Sequence, residues 1–321
     1  PRWAGNLNWG YGHPILMFLY PLPSYMTSLI HFFGFSLVDS VKIFFGLAFI
    51  ASGLTMYLWL KQFLSREAAF IGGMLYMFAP YRFVDLYVRG AIGEHAAFVF
   101  PPLILYFLFK LAQSPNVTVI PTEAIAKWRD LFSRAARAEK IPRLPKVALN
   151  DRVKRGFADG GYWYLLGGAL SLAGLILAHN AISLMFLPLI FLYASFLVWK
   201  SKKRRLLIAN CVLLILFGFA LSAFFWAPAL LEGKYTLRDK VTAGSVSDRF
   251  SSPMQFLYGS WSYGGTGQLS VQVGLIQWFF VVMALPLLLV RWLKDKKKPI
   301  LLLSSLLIFF FTLFLMTPFS G

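Results

Sequence analysis

The sequence predicts an all-α, polytopic transmembrane helical bundle, and three observations lead to that fold class. First, 58% of the 321 residues are hydrophobic and 14% are charged, whereas soluble domains are about half apolar and a quarter charged. Second, several apolar runs reach the roughly 20 residues that span a bilayer. Third, these runs lack the alternation of a membrane β-barrel. The chain, 1–321, is expected to form a single transmembrane domain.

The first apolar stretch, 14–35, is interrupted by Pro14, Pro21 and Pro23. Only about a dozen residues remain after the last proline, too few to span, so a re-entrant or interfacial segment is predicted. Both chain ends look like cut edges, so we expect a fragment of a longer protein, and an outward-facing 1–40 segment implies a further span before Pro1. Eight spans are predicted after the first stretch: 41–63, 68–84, 95–113, 161–178, 182–199, 206–229, 272–292 and 299–317.

Most of the 31 Lys and Arg residues lie in one of the two alternating sets of loops, above all in 127–155. The positive-inside rule makes this set cytoplasmic. The net charge of +18 therefore reflects membrane topology, and no nucleic-acid partner is expected. The other set faces outward and comprises the loop or interfacial segment 1–40, the 85–94 loop, the His179–Asn180 turn and the 230–271 loop.

The basic cytoplasmic loop 114–160 is the one sizeable polar insertion on its side. Within it, Thr122–Lys140 is predicted to be an amphipathic helix, with Thr122 as its N-cap. Two interpretations stay open. The helix lies in the plane of the anionic inner leaflet, or it binds a partner in envelope assembly.

Charged residues are concentrated in the segment 81–95, between two apolar runs. Asp85 and Arg89 are four residues apart, so a helical turn would bring them together as an ion pair. Structural interpretations are an ion pair that holds the loop and arginines that anchor helix ends to headgroups. The functional interpretation is a carboxylate, above all Glu94, offered to a sugar hydroxyl or a metal, with an arginine binding phosphate. Arg82 and His95 complete this group.

Two further polar groups are expected on the outer face. His179 and Asn180 separate two apolar runs; Asn180 is readily explained as a helix cap, whereas His179 could donate to a lipid phosphate or transfer a proton. Glu232 is followed by Lys234 and Arg238, which either bind phosphate or form a solvated loop face.

These motifs, in their order along the chain, resemble a family of bacterial membrane proteins. The family is labelled "6-pyruvoyl-tetrahydropterin synthase-related" and is similar to GT-C glycosyltransferases. The resemblance covers nearly the whole chain, and order and spacing carry it, because each motif is short. The matching motifs are Gly10-Tyr11-Gly12-x-Pro14, Tyr20-Pro-Leu-Pro-Ser-Tyr25, Ala79-Pro-Tyr-Arg82, Asp85-x-Tyr-x-Arg-Gly-Ala91 with Glu94, Ala178-His-Asn180 and Trp226-x-Pro-x-Leu-x-Glu232.

The resemblance implies a GT-C-like bundle in the bacterial inner membrane. Its reaction would transfer a sugar from a polyprenyl-phosphate donor to an envelope glycan, lipid or protein acceptor on the outer face. Such enzymes usually place the principal catalytic carboxylate in the first outer loop, which would precede Pro1. The candidates in this chain are Glu94 and Asp85 as catalytic carboxylates, and Arg89, Arg82, His179, Asn180, Glu232, Lys234 and Arg238 as substrate- or phosphate-binding residues.

Two alternatives stay open beside the transferase. One is a transporter or flippase of lipid-linked saccharides, which needs charged groups deep within spans. The other is a non-catalytic scaffold for envelope assembly. The cofactor is unknown, with a divalent cation as one option, while the four His residues lack the spacing of a zinc site.

Overall fold

A computed structural model describes residues 3–14, 18–114, 160–233, 250–259, 271–294 and 300–320 of the chain. Almost all of this part is helical, as the sequence predicts, apart from a hairpin of two-residue strands, β1 and β2. The elements are β1 (Trp3–Ala4), β2 (His13–Pro14), α1 (Leu22–Phe32), α2 (Leu37–Leu60), α3 (Arg66–Met77), α4 (Pro80–Phe83), a π-helix (Val84–Arg89), α5 (Ile92–Ala97), α6 (Phe100–Gln113), α7 (Gly161–Ala178), α8 (Asn180–Lys200), α9 (Arg204–Glu232), α10 (Pro253–Leu257), α11 (Leu275–Lys294), α12 (Ile300–Leu315) and a 3₁₀ turn (Pro318–Ser320).

Five helical segments in the described residues are long and apolar enough to cross a membrane. They correspond to five of the eight predicted spans, with ends shifted by a few residues. The predicted count of eight is not confirmed. The described apolar segments Leu275–Val290 and Ser305–Leu315 are shorter than a full span. The five long segments are Leu37–Leu60, Ile92–Gln113, Gly161–Ala178, Asn180–Lys200 and Arg204–Glu232.

The predicted span 68–84 is broken at Pro80. The helix α3 ends at Met77, and Pro80 then begins the short helix α4, because proline lacks the amide that a continuing helix needs. The chain continues as the π-helix, which ends at Gly90 in the left-handed conformation, with φ 58°. This succession of short turns buries Arg82, Asp85, Glu94 and His95, whereas Arg89 stays partly exposed.

The centre of the bundle is α7, which packs between α6 and α9. Its small residues allow this close approach. A Cβ on Gly167 would overlap the Phe107 ring, and one on Gly168 would overlap Leu214. Eleven of the eighteen residues of α7 are buried, so its far end, where His179 follows, is held firmly against α5 and α6.

The N-terminal residues form an antiparallel hairpin, in which Trp3 pairs with Pro14 and Ala4 with His13. Its loop is non-helical, and Asn8 and Trp9 both adopt positive φ values, 55° and 54°. The helix α1 follows, packs along α2, and is 11 residues long. This length agrees with the expectation of a segment too short to span.

Candidate functional site

An ion pair between Arg89 and Glu94 forms the centre of the candidate site. Arg89 Nη1 donates to Glu94 Oε2 at 2.6 Å, and Arg89 Nη2 donates to Glu94 Oε1 at 2.7 Å. The two residues come from the last turn of the π-helix and the first turn of α5, and Gly90 makes the reversal between them. A bidentate pair of this kind holds the carboxylate in one orientation.

Two further groups surround the arginine. Asp85 Oδ1 lies 3.2 Å from Arg89 Nη1, which confirms the ion pair predicted from their spacing. The Tyr81 hydroxyl donates to Glu94 Oε2 at 2.6 Å and accepts from Arg89 Nη1 at 2.8 Å. The site therefore presents two carboxylates to one guanidinium.

Asp85 is the more deeply buried of the two carboxylates. Its side chain has no exposed surface, and its Oδ2 atom is buried without a hydrogen-bond partner in the structure. Burial, followed by the negative charge of Glu94, raises the pKa of Asp85 to about 7. Asp85 is therefore the carboxyl group of the pair that gains and loses a proton near neutral pH.

His179 comes from a distant part of the sequence, at the junction of α7 and α8. Its Nε2 atom lies 3.7 Å from Glu94 Oε1, and its Nδ1 atom accepts the Ile182 backbone N–H at 3.2 Å. His179 is therefore the N-cap of α8, and a neutral ring that accepts at Nδ1 carries its proton on Nε2. Burial lowers the pKa of His179, which favours this neutral form.

The sequence suggested Asn180 as the cap of the helix α8, but Asn180 is not the N-cap. It is the first residue of α8, and its Oδ1 atom accepts the N–H of Ala181 at 2.8 Å. The cap is the preceding residue, His179, because its ring nitrogen reaches the free amide one turn into the helix.

Tyr20 covers the site and was not selected from the sequence. Its ring centroid lies 4.6 Å from that of His179, and the ring packs so closely on Gly93 that a Cβ there would overlap it. Tyr20 belongs to the Tyr-Pro-Leu-Pro motif, and that motif was the one sequence feature that could have drawn attention to it. Nothing in that motif alone indicated a contact with residues more than seventy positions away.

Arg82 lies in the interior, behind the site. It is 1% exposed and donates to the His95 carbonyl oxygen at 3.0 Å and to Ser52 Oγ at 3.2 Å. Its guanidinium also lies over the rings of Phe98 and Phe49, at 4.7 and 5.8 Å from their centroids. This arrangement supports a role in holding α4 and α5 against α2.

Of the remaining candidates, the structure describes Glu232. Glu232 ends α9 and is partly exposed, and Lys234 and Arg238 lie outside the described residues, as does the predicted helix Thr122–Lys140. Among the residues that the structure describes, no group of three or more His, Cys, Asp or Glu side chains is arranged to hold a metal ion.

The fold and this cluster define a polytopic helical membrane protein with a buried, charged site at one end of its spans. The chain belongs to the 6-pyruvoyl-tetrahydropterin synthase related domain family, a membrane protein family, whose pattern matches residues 151–320. This confirms the family that the sequence motifs resemble. No curated protein and no solved structure matches the chain. His179 falls within the matched region, and Glu94 precedes it.

Proposed function

We propose that this protein is a membrane glycosyltransferase that uses a polyprenyl-phosphate-linked sugar as donor. The acceptor is an envelope glycan, lipid or protein on the outer face of a bacterial inner membrane. One observation carries the proposal: Glu94 is oriented by Arg89 and approached by His179 Nε2 at 3.7 Å. A carboxylate with adjacent hydrogen-bond donors is the arrangement that sugar transfer from a phosphate requires.

In the proposed reaction Glu94 is the general base. Its carboxylate takes the proton of the acceptor hydroxyl while the hydroxyl oxygen forms a bond to the anomeric carbon of the sugar. The bond between that carbon and the phosphate oxygen breaks, and the electron pair leaves with the polyprenyl phosphate. Arg89, which is partly exposed, stabilises the negative charge that develops on the phosphate.

The contacts of His179 support a role as a hydrogen-bond donor in this reaction. Its Nδ1 atom is already occupied by the Ile182 amide, so its Nε2–H can be donated to a substrate oxygen or to Glu94. Protonation at Nδ1 would remove the cap from the positive end of α8, which is unfavourable. His179 therefore binds and orients as a neutral ring.

A carrier of lipid-linked saccharides is the second candidate function, and the position of Arg82 favours it. A transport path needs charged groups deep within the spans. The buried Arg82 guanidinium contacts Ser52, which lies well inside α2. Its charge is nevertheless bound to protein groups on several sides, so we place the transferase first.

A vesicle assay separates the two functions. The full-length protein is reconstituted with a radiolabelled polyprenyl-phosphate sugar, with and without an acceptor extract, and both transfer and movement of label across the bilayer are measured. Wild-type protein is expected to transfer label to the acceptor. Glu94→Gln is expected to reduce this rate about 100-fold or more, since a general base contributes at least that much.

The matched control is Glu67→Gln, an exposed glutamate in the first turn of α3, which should transfer label at the wild-type rate. Thermal unfolding in detergent checks that both variants are folded. Wild-type protein that moves labelled lipid across the bilayer without any transfer would overturn the transferase and support the carrier.

A further inference from the structure

Three spans end on the same side of the bundle with a lysine over an aromatic ring. Lys61 Nζ lies 5.5 Å from the ring centroid of Tyr57, Lys110 Nζ 5.8 Å from that of Tyr106, and Lys200 Nζ 4.8 Å from that of Phe196. Each lysine follows its aromatic by four residues. This side is the end opposite His179, since α8 has His179 as its N-cap and reaches Lys200 after 21 residues, about 32 Å of helix and close to the thickness of a bilayer core.

An open apolar groove runs along the outside of α2 and α3 and reaches this cationic end. Its volume is about 770 Å³. Exposed apolar side chains form its walls, among them Leu54 on α2 and Phe70 on α3. Gly53 and Gly73 form its floor, because the two helices approach so closely that a Cβ on Gly73 would lie 2.9 Å from the Gly53 carbonyl oxygen.

The mouth of the groove carries two cations. Arg66 lines it, and Lys61 lies over Tyr57, which also lines it. In the part of the chain that the structure describes, no carboxylate is within salt-bridge distance of either. Glu67 also lines the mouth. The backbone amide of Glu67 and the Ser65 hydroxyl hold the pKa of its carboxyl below the usual value, so this carboxylate stays charged, and Lys61, Arg66 and Glu67 together leave the mouth with a net positive charge.

The length of the groove matches one leaflet. It extends from Arg66 to Met77, the 12 residues of α3, which corresponds to about 18 Å of helix. Half of a bilayer core is about 15 Å. A hydrocarbon chain whose head lies at Arg66 would therefore end near Met77.

A second groove, between α8 and α9, repeats the same chemistry at the same end. Its volume is about 390 Å³, and its apolar lining includes Phe191 and Val212. Arg204 stands at its mouth and donates to the Trp199 carbonyl oxygen at 3.2 Å. Two separate grooves thus have an apolar lining and a cation at the membrane boundary.

We propose that the groove between α2 and α3 is a binding site for an anionic phospholipid. One acyl chain lies along the groove and the phosphate binds Lys61 and Arg66; the groove between α8 and α9 binds a second such lipid through Arg204. This inference is independent of the proposed transferase activity, because no residue of the Glu94 site lines either groove.

The test is native mass spectrometry of the full chain released from nanodiscs that contain equal amounts of phosphatidylglycerol and phosphatidylcholine. Wild-type protein is expected to retain phosphatidylglycerol preferentially. The double variant Lys61→Gln, Arg66→Gln should lower that preference by about fivefold for each charge removed, the effect of one basic residue near an anionic headgroup.

Leu54→Trp fills the groove and should remove one bound lipid. Leu47→Trp is its control, because Leu47 is an exposed residue of α2 outside the groove. An unchanged lipid count in Leu54→Trp, or an unchanged preference in the double variant, would overturn the site. So would a cross-link between the Leu54→Cys variant and a second copy of the chain.

Discussion

His179 Nε2 lies 3.7 Å from Glu94 Oε1, and this contact joins two parts of the chain that are far apart in sequence. The other ring nitrogen of His179 accepts the Ile182 amide. The N-cap of α8 therefore determines which nitrogen carries the proton and directs the N–H toward the carboxylate. A structural role and a candidate functional role are thus combined in one ring.

Two substitutions separate these roles of His179. Gln places its amide nitrogen near the position of Nε2, whereas Asn places a polar atom near Nδ1 and is a good N-cap. We expect His179→Asn to stay folded and to lose about 100-fold in transfer rate, the usual effect of removing one oriented donor. His179→Gln should keep most of the rate.

The pH profile checks whether His179 is neutral throughout. Wild-type protein and His179→Gln are expected to show the same pH dependence of transfer between about pH 6 and 8, where an ordinary histidine titrates. A limb in the wild-type profile that disappears in His179→Gln would show proton transfer by the ring and contradict the donor role.

Asp85 should make the fold less stable as the pH rises. Its raised pKa, about 7, means that the folded protein holds the proton more tightly than the unfolded chain. The associated stability is complete below about pH 4 and is lost as the pH rises through about 7. We expect the thermal midpoint in detergent to fall between pH 5 and pH 8, and to fall less in Asp85→Asn.

The control for this measurement is Asp39→Asn, which changes an exposed aspartate at the start of α2. It should show the same fall in midpoint between pH 5 and pH 8 as the wild type. Equal pH dependence in Asp85→Asn and wild-type protein would contradict the assignment of the titration to Asp85.

Arg82 is expected to stabilise the fold. Lysine cannot donate to Ser52 and to the His95 carbonyl with the same geometry, since it lacks the planar fork of arginine. Arg82→Lys should lower the free energy of unfolding by about 2–4 kcal/mol, measured as a shift in the unfolding transition. Arg205→Lys, at an exposed position on α9, should have no measurable effect.

Gly93 is expected to hold Tyr20 over the site. A Cβ at Gly93 would overlap the Tyr20 ring, so Gly93→Ala should displace the ring from His179 and reduce the transfer rate about tenfold or more, a typical effect of misplacement. Gly46 lies in α2 with open space around its Cβ position. Gly46→Ala should leave the rate unchanged and stabilise the helix by about 0.5–1 kcal/mol, and a rate loss equal in both variants would contradict the prediction.

Much of the fold could be predicted from the sequence because span formation depends on local composition. Five apolar runs became the five long helical segments, since a run of that length must satisfy its backbone within the membrane. The spacing of Asp85 and Arg89 was likewise sufficient for their ion pair. The break within the predicted span 68–84 was not predicted. The apolar composition of this segment was taken to indicate a continuous span, although it contains Pro80.

The arrangement of the site depended on tertiary structure. Arg82 and Arg89 look equivalent in sequence, yet one is buried behind aromatic rings and the other holds Glu94. The sequence by itself determined a polytopic helical membrane protein, its family and a segment rich in charge. The packing of α5 against α7 and of Tyr20 on Gly93 decided which charges meet, because contacts between distant segments depend on side-chain shape and on small residues at helix crossings.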